Sequence, residues 1–344
     1  MKPAALTCLV PGLLALAGDM GALPAAERPA VPALARILGL ARREPRPGDS
    51  PEALALGLAG ITVPPGADPP AAPLTWLADT GRPPPGPCLR ADPVYLQVDQ
   101  GDAVLLAWSE LALTPEEAGE LVSAINRHFA AAGGGWHLEA PHPHRWYLLA
   151  ERLPRIRTTP LSLALGARVG PLLPAGDEAR AWRAVLNEVQ MLLHAHPVNA
   201  ERLAREQLPV NGLWLWGGGD GLPRPAARFA ALCGDDPLLA GLAAAGGMPA
   251  PGACPGQSSV WLAGAGGGHA LAWLDGPWAL ARLQDTWGWV REVERLDRHW
   301  LGPALEAVRS GRLQGLVLVP GDGQRYTVTR RRLRAFWRRP RAPW

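Results

Sequence analysis

Residues Leu208–Pro223 read LPVNGLWLWGGGDGLP, an apolar alternation that ends in a glycine run. Trp214 and Trp216 alternate with leucines, which predicts a strand that carries large side chains on both faces. The glycines at 217, 218 and 219 allow a tight exit from the strand without side chains. Two interpretations stay open at this point: the glycine run binds an anion, or it is the turn after a buried strand.

Helices and short apolar strands alternate on both sides of this stretch. Helical spacing and helix-start signals predict helices at Ala30–Leu40, Pro51–Leu58, Pro115–Ala131, Asp177–His194, Pro237–Ala245 and Thr286–Val308. Apolar runs predict strands at Val94–Val98, Ala103–Trp108, Ser259–Ala263, Ala270–Leu274 and Leu316–Pro320. The helix at Pro115 has the clearest start, because Thr114 and Glu117 have the spacing of a capping box. Such alternation is typical of an α/β protein whose sheet is covered by helices on both faces.

Two proline-rich runs, Pro64–Pro73 and Arg82–Pro87, lie in the first third of the chain. We predict that both are loops, because proline supplies no amide hydrogen to a helix interior or a strand ladder. With 344 residues, the chain is long enough for one large domain or two moderate ones.

The formal net charge of +3 is small for this length, and much of the positive excess lies at the C-terminus. Seven arginines between Arg330 and Arg341 surround Phe336 and Trp337. A basic segment with interleaved aromatic residues can bind nucleic acid or an anionic surface. We favour the alternative, a solvated terminal segment whose apolar residues pack on the fold.

The cysteines show neither a CxxC pair nor a metal-binding spacing, which predicts reduced thiols in a cytosolic protein. They are Cys8, Cys88, Cys233 and Cys254. The N-terminus resembles a secretory signal, with Lys2 before an apolar stretch, but Pro11 and Gly12 interrupt that stretch. We therefore expect a buried first strand and a cytoplasmic location. No membrane contact is expected, since no uninterrupted apolar run in the sequence is long enough to cross a bilayer.

Motifs for nucleophilic or phosphate chemistry are missing from the sequence. No serine lies in a GxSxG motif, and the glycine run continues with Asp220 instead of the lysine of a phosphate-binding loop. The histidines form two close pairs, His142 with His144 and His194 with His196. Neither pair has a carboxylate at the helical spacing of a metal site, so we favour structural roles over metal binding.

A resemblance to a known family is carried by residues 145–219. Within them, HPVN occurs at His196–Asn199 and VNGLWLWG at Val210–Gly217. The chain resembles the RpfE-type family of bacterial regulatory proteins, which is similar to the archaeal-type, cofactor-independent phosphoglycerate mutases of the alkaline phosphatase superfamily. The resemblance implies an alkaline-phosphatase-like central sheet with an inserted smaller α+β subdomain. We expect core residues 1–90 and 176–329, the subdomain at 91–175 and a basic tail at 330–344.

The same resemblance locates the residues that two-metal phosphoryl transfer needs. Pro11 takes the place of the first metal-binding aspartate of the mutases, and Ala67 takes the place of their nucleophilic serine. Asp275 and Asp322 remain as vestigial candidates for metal binding, but Gly323 follows Asp322 where the mutases have a histidine. The resemblance therefore implies a degenerate metal site and no catalytic residue.

We predict a non-catalytic protein that resembles the mutases and acts as a regulatory or binding module for an unknown protein or small-molecule ligand, without a cofactor. The expected ligand-binding residues are Asn199, Asn211, Gly217, Gly218 and Gly219. The reason is that ligands in open α/β sheets bind at the carboxyl ends of strands. For the two asparagines, the alternative is a buried amide that bonds to loop backbone.

Two other functions remain open. The first is a metal-dependent, phosphoglycerate-mutase-like phosphotransferase, in which Asp275 and Asp322 hold one divalent metal ion. The second is a nucleic-acid-associated protein that binds through Arg330–Arg341.

Overall fold

The chain forms two compact units in the computed structural model, Met1–Ile61 with Pro225–Trp344, and Thr62–Arg224. The described residues are 3–24, 27–64, 66–99, 102–107, 111–131, 135–264, 267–334 and 339–344. Predictions that involve Lys2, Trp108, Phe336 and Trp337 lie outside these ranges.

The described residues form a mixed α/β structure whose sheets are flanked by helices. The strands are β1 (Pro3–Leu9), β2 (Arg42–Pro45), β3 (Cys88–Asp99), β4 (Asp102–Ala107), β5 (Trp136–His142), β6 (Arg145–Ala150), β7 (Gly212–Gly219), β8 (Ala231–Cys233), β9 (Gly268–Trp273), β10 (Gly315–Val319) and β11 (Gln324–Thr329). The helices are α1 (Ala17–Ala22), α2 (Pro32–Leu40), α3 (Pro51–Leu58), α4 (Ala71–Thr80), α5 (Pro115–Ala131), α6 (Leu161–Ala164), α7 (Ala179–His194), α8 (Pro197–Ala204), α9 (Pro237–Gly246), α10 (Ser258–Gly264), α11 (Gly276–Arg282), α12 (Thr286–Leu296), α13 (Gly302–Arg309) and α14 (Arg330–Leu333).

The first unit is built on a sheet with the strand order β2-β11-β10-β1-β9-β8. β10, β1, β9 and β8 are parallel, whereas β11 and β2 are antiparallel to their neighbours. Apolar side chains on one sheet face, such as Leu6 and Leu318, pack in one core cluster with Ile37 of α2 and Val293 of α12. The carboxyl ends of the parallel strands therefore meet at one edge of this sheet.

The second unit is built on an antiparallel sheet. β3 pairs with β4, β6 and β7, and β5 pairs with β6. Leu121 and Ile125 of α5 and Val189 of α7 pack in the same core cluster as Leu215 of β7. The apolar faces of these helices thus cover the sheet.

The tryptophan strand is the main difference from the expected domain organisation. It is buried on both faces as predicted, but β7 pairs with β3 in the second unit, with Ala91 opposite Leu215. The compact unit between the two parts of the first unit is Thr62–Arg224, not the expected 91–175. The domain boundaries differ because β3 and β7, which are far apart in sequence, pair with each other. The local sequence pattern of either strand does not indicate that pairing.

Most of the predicted elements are present. α3 and α5 have the predicted bounds, and β1 is the expected buried first strand. The capping box is confirmed, since Thr114 N donates to Glu117 Oε2 at 3.0 Å and Glu117 N donates to Thr114 Oγ1 at 3.2 Å.

Three predictions were wrong in detail. Residues Ser259–Ala263 belong to helix α10 instead of a strand, and a short apolar run does not distinguish the two. The Pro64–Pro73 run is not all loop, because α4 begins at Ala71 and contains Pro73 in its first turn, where proline is tolerated. The helix predicted at Thr286–Val308 contains a π-helical turn at Asp297–Leu301.

The described part of the C-terminal tail contacts the first unit. Arg341 N donates to Ala35 O at 2.9 Å, and Trp344 packs against the core cluster of that unit. Among the described residues, none of the helices combines the length and the apolar character that crossing a bilayer requires.

Candidate functional site

The two candidate asparagines bond to backbone in the second unit. Asn199 is 2% exposed; its Nδ2 donates to Leu193 O and Val210 O, both at 2.7 Å, and its Oδ1 accepts from Val210 N at 2.9 Å. Asn211 Oδ1 accepts from Leu96 N at 2.7 Å and its Nδ2 donates to Leu96 O at 2.8 Å. The buried amide of Asn199 and the half-buried amide of Asn211 thus both bond to backbone, where they replace missing ladder or loop hydrogen bonds.

The glycines at the end of β7 allow close packing. Gly217 has φ +69°, and a Cβ there would lie 3.2 Å from Ala71 Cβ of α4. A Cβ on Gly219 would lie 2.6 Å from Pro73 Cγ of the same helix. Helix α4 therefore lies against the backbone of β7, where any side chain would separate them.

Gly218 has a different environment, because it lines a cavity of about 270 Å³ within the second unit. The other lining residues are Ala67, Asp68, Leu89, Leu153, Pro154, Ile156 and Arg157. Of the five expected ligand-binding residues, only Gly218 lies at this cavity. Its walls are mostly apolar, with one carboxylate and one guanidinium, which is a common composition for a small-molecule site.

The carboxylate of Asp68 is held in place by one residue. Thr158 N donates to both carboxylate oxygens at 3.0 Å, and the Thr158 hydroxyl donates to Oδ2. Burial raises the pKa of Asp68 above its ordinary value, while the hydrogen bonds from Thr158 and the charge of Arg157 oppose that rise. Asp68 therefore acts as an oriented acceptor at the cavity wall.

The backbone of Arg157 is fixed while its side chain is exposed. Arg157 N donates to Ala175 O at 2.6 Å, and Ala175 N donates to Arg157 O at 3.0 Å. Within the described part of the chain, no hydrogen bond or ion pair engages its guanidinium, which interacts with Asp68 only at longer range. A guanidinium in this state can bind an anion with two parallel hydrogen bonds.

The two tryptophans of β7 lie two positions apart, so their rings share one face of the strand, and Leu213 and Leu215 lie on the other face. Trp214 Nε1 donates to Thr159 O at 2.8 Å, which fixes the segment that follows Arg157. Trp216 Nε1 donates to Asp92 Oδ2 at 2.7 Å. Each indole buries its apolar ring and satisfies its N–H, as a buried tryptophan requires.

Asp92 and Arg90 form a buried ion pair beside Trp216, which the sequence did not indicate. Arg90 Nε and Nη2 donate to Asp92 Oδ1 at 2.9 and 2.6 Å, and the guanidinium lies 5.3 and 5.2 Å from the ring centres of Tyr147 and Trp216. Burial raises the pKa of Asp92, and Arg90 and Trp216 oppose the rise. The pair is satisfied on all sides, so we assign it to the support of β3 and β7.

The carboxyl edge of the parallel sheet in the first unit is the other place where sequence analysis located chemistry. After β1, Gly12 has φ +76°, and a Cβ there would lie 2.8 Å from Trp278 Cα. After β10, Asp322 accepts from Gln324 N at 3.0 Å and from the Tyr326 hydroxyl at 2.6 Å. Asp322 therefore stabilises the turn between β10 and β11.

Asp275 follows β9 at the same edge. Burial raises the pKa of its carboxyl above the ordinary value, and the negative charges of Asp235 and Glu292 add to the rise. The residue as a whole is exposed to solvent. In the described part of the chain, no three histidine, cysteine, aspartate or glutamate side chains come close enough together to hold a metal ion.

The histidine pairs make local contacts with backbone. His196 Nδ1 accepts from Val198 N at 3.3 Å at the start of α8, and His142 Nδ1 accepts from His144 N at 3.1 Å. Burial lowers the pKa of His142, and the charge of Arg145 lowers it further. One ring nitrogen in each pair thus accepts a backbone hydrogen bond, and the preference for structural roles over metal binding stays a prediction.

Arg157 and Asp68 are the cavity residues that sequence reasoning did not select. Asp68 was noticed only as the neighbour of Ala67, and Arg157 stands among several arginines in ERLPRIRTTP. The available signal was the position of Asp68 next to the alanine that replaces the serine of the resembling family. Nothing in the local pattern shows that Thr158, ninety positions later, bonds to Asp68.

Comparison with known proteins supports the similarity to phosphoglycerate mutases, and the family model matches within the second unit. The family model of 2,3-bisphosphoglycerate-independent phosphoglycerate mutase matches residues 88–199, which is less than half of the chain. The mutase of Methanothrix thermoacetophila is 29% identical over 181 residues, 47% of this chain and 46% of that protein. The mutase of Methanosarcina barkeri is 31% identical over 61 residues, 18% of this chain and 15% of that protein. The match thus spans less than half the length of either relative.

A solved structure, the cofactor-independent phosphoglycerate mutase from Thermoplasma acidophilum, is 18% identical. It aligns with 96% of this chain over 90% of its own length, at a TM-score of 0.39. The family model alone locates the sequence similarity, at residues 88–199, from the start of β3 to the first turn of α8, and this part contains Arg157.

Proposed function

We propose that this protein is a non-catalytic relative of the phosphoglycerate mutases that binds a small anionic molecule in the cavity beside Gly218. In this proposal it acts as a regulatory or binding module of the RpfE type in the cytoplasm. The guanidinium of Arg157 carries the proposal, since it lies at an apolar cavity without a hydrogen bond or ion pair in the described part of the chain.

The chemistry of the cavity supports an anionic ligand with an apolar or neutral body. Arg157 supplies a cation with a fixed backbone, and Asp68 supplies an oriented acceptor for a hydroxyl of the ligand. Leu89, Leu153 and Ile156 supply apolar wall surface for the uncharged part of the ligand. A charge-assisted hydrogen bond from the guanidinium to an anion is stronger than a hydrogen bond between neutral groups.

The residues present do not fit the catalytic machinery of the resembling family. Ala67 has no oxygen that could accept a phosphoryl group. Asp322 already accepts two hydrogen bonds within its own turn, and no histidine lies next to Asp275 or Asp322 in the sequence. A two-metal centre needs ligands that converge on both ions, and these side chains do not provide them.

The packing of the C-terminal tail favours a small molecule or a protein over nucleic acid as the partner of this chain. Arg341 and Trp344 contact the first unit through a backbone hydrogen bond and a ring, so this part of the tail packs on the fold. The rival proposal requires binding to nucleic acid that weakens steeply with salt and is lost when residues 330–344 are deleted.

Isothermal titration calorimetry with 3-phosphoglycerate and with inorganic phosphate tests the binding proposal. We expect the wild-type protein to bind 3-phosphoglycerate and Arg157→Ala to bind it about 10- to 100-fold more weakly. Arg127→Ala removes the same charge from an exposed position on α5 and is expected to bind like the wild type. Equal binding by all three proteins, or no binding by the wild type, contradicts the assignment of the cavity.

The non-catalytic part of the proposal has a separate test. We expect no interconversion of 2- and 3-phosphoglycerate by the purified protein with added Mn²⁺, and no stoichiometric divalent metal by elemental mass spectrometry of protein purified without chelator. Turnover that depends on metal would establish the phosphotransferase alternative instead. That result would leave the calorimetric test of Arg157 unaffected.

A further inference from the structure

Three of the four cysteines of the chain meet on one face of the parallel sheet in the first unit. Cys8 of β1 and Cys233 of β8 are both opposite Ala272 of β9, the strand between them. Each of the two thiols is 0% exposed. Because the side chain of Ala272 is small, it leaves space on this face of the sheet for the thiols of Cys8 and Cys233.

Cys254 reaches this face from a loop that is bonded to β8. Gly252 N donates to Leu232 O at 3.1 Å, and Gly234 N donates to Gly252 O at 3.0 Å. These bonds place Cys254 Sγ 2.9 Å from Cys233 Sγ. A disulfide requires a separation of about 2.05 Å, so the two sulfurs need to approach by only about 1 Å.

The three thiols differ in access to solvent. Cys254 is partly exposed, whereas Cys233 and Cys8 are buried. The hydrogen bond between the Cys233 and Cys254 thiols and burial raise the pKa of Cys233, and burial raises the pKa of Cys8 to about 12. An oxidant in solution therefore meets Cys254 first, and Cys233 is the thiol positioned to react with it next.

We propose that Cys233 and Cys254 are a redox modification site that forms a reversible disulfide by exchange with a small-molecule disulfide of the glutathione class. The thiolate of Cys254 attacks one sulfur of the oxidant, the sulfur–sulfur bond of the oxidant breaks, and one thiolate leaves and takes up a proton. Cys233 then loses its proton and attacks the sulfur of Cys254. The bond between the two cysteines forms, and the second thiolate leaves.

This exchange transfers two electrons and two protons from the protein to the oxidant. A reduced dithiol reverses the reaction by the same steps. The disulfide would connect β8 to the loop before α10 and restrict the residues that follow Cys233 at the carboxyl edge of the sheet. The proposal does not depend on ligand binding in the second unit.

The experiment uses the reduced full-length protein, equilibrated with an excess of glutathione disulfide, alkylated after quenching and analysed by intact mass and peptide mapping. We expect the wild type to lose two hydrogen masses, with the cross-link between the peptides that contain Cys233 and Cys254. Cys88→Ser and Cys8→Ser are the controls. Both remove a buried thiol and are expected to form the same cross-link.

The single variants of the pair give distinct results. In Cys233→Ser, Cys254 is expected to retain a glutathionyl adduct, because the thiol that would displace glutathione is missing. In Cys254→Ser, no cross-link and no adduct is expected on Cys233. Cys233→Ala is the companion variant if serine at the buried position prevents folding, which circular dichroism reveals.

Three results would overturn the proposal. One is a wild-type protein that remains fully reduced at equilibrium with excess oxidant. Another is a cross-link that contains Cys8 in place of Cys233. The third is a folded Cys233→Ala variant without an adduct on Cys254, which would show that the exposed thiol does not start the exchange.

Discussion

The cavity of the second unit and the carboxyl edge of the sheet in the first unit differ in what their charged side chains bond to. At the cavity, Asp68 is oriented by Thr158, and Arg157 has no hydrogen-bonding or ion-pair partner among the described residues. At the edge, Asp322 bonds to its own turn, and Trp278 lies against Gly12. Carboxylates near strand ends do not by themselves make a binding site. A charged side chain without a partner beside an apolar surface is a better indication of a binding site.

We expect the largest effect on stability from the buried ion pair of Arg90 and Asp92, which supports β3 and β7. Asp92→Ala leaves the guanidinium of Arg90 buried and unpaired, so we expect a loss of about 3–5 kcal/mol in the free energy of unfolding. Urea denaturation measures it. Asp177→Ala removes an exposed carboxylate 3.7 Å from Arg155 and is expected to change stability by less than about 0.5 kcal/mol. A loss below about 1 kcal/mol in Asp92→Ala would mean that the pair does not support the strands.

A substitution at Gly12 tests whether packing against Trp278 closes the carboxyl edge of the parallel sheet. A Cβ at φ +76° and 2.8 Å from Trp278 Cα is strained, and we expect Gly12→Ala to destabilise the protein by about 1–3 kcal/mol. Gly18→Ala is the matched control, since a Cβ there meets nothing within 4 Å. Thermal denaturation compares the two variants. If both are equally stable, Trp278 moves freely and the edge is open.

The smallest expected effect is the contribution of Asp275 to the pH dependence of stability. Its carboxyl has a raised pKa in the folded protein, so the native state binds this proton more tightly than the unfolded chain does. The free energy of unfolding therefore falls as the pH rises from the ordinary aspartate pKa, about 3.9, to the raised value, and is constant above it. We expect Asp275→Asn to be more stable than the wild type at pH 7.

That advantage is expected to disappear at about pH 3, below the ordinary pKa, where the wild-type carboxyl is protonated in both states. Asp49→Asn, at an exposed position before α3, is the control and is expected to show no such difference. An equal or lower stability of Asp275→Asn at pH 7 would mean that its carboxylate is stabilised at the edge. Such a result would favour a cation there and weaken the comparison between the two regions.

Local patterns predicted about half of the helices and strands that the structure describes, and they did not predict how the strands pair. The start of α5 was predicted because Thr114 and Glu117 form a capping box, an interaction that spans three positions. The apolar run of α10 was predicted as a strand because a short apolar run fits either structure. α4 was missed because its prolines suggested a loop.

The residues of the candidate site were also predicted only in part. Gly218 was expected to bind a ligand because it lies at the end of a buried strand, and it lines the cavity. Ala67, which the resemblance places where the mutases have a serine, lines it too. It did not select Arg157, because an arginine between isoleucine and threonine has no distinguishing pattern. The glycines at 217 and 219 were expected to bind a ligand but allow α4 to pack on β7.

The α/β class and the buried tryptophan strand follow from the sequence, since periodicity and residue chemistry are local properties. The pairing of β7 with β3, the bonding of Thr158 to Asp68 and the contact of Cys254 with Cys233 follow only from the three-dimensional fold. These contacts join residues between 21 and 131 positions apart, the largest separation being that of Cys88 and Gly219. Such contacts form because folding buries whole faces together, and no short stretch records which face it will meet.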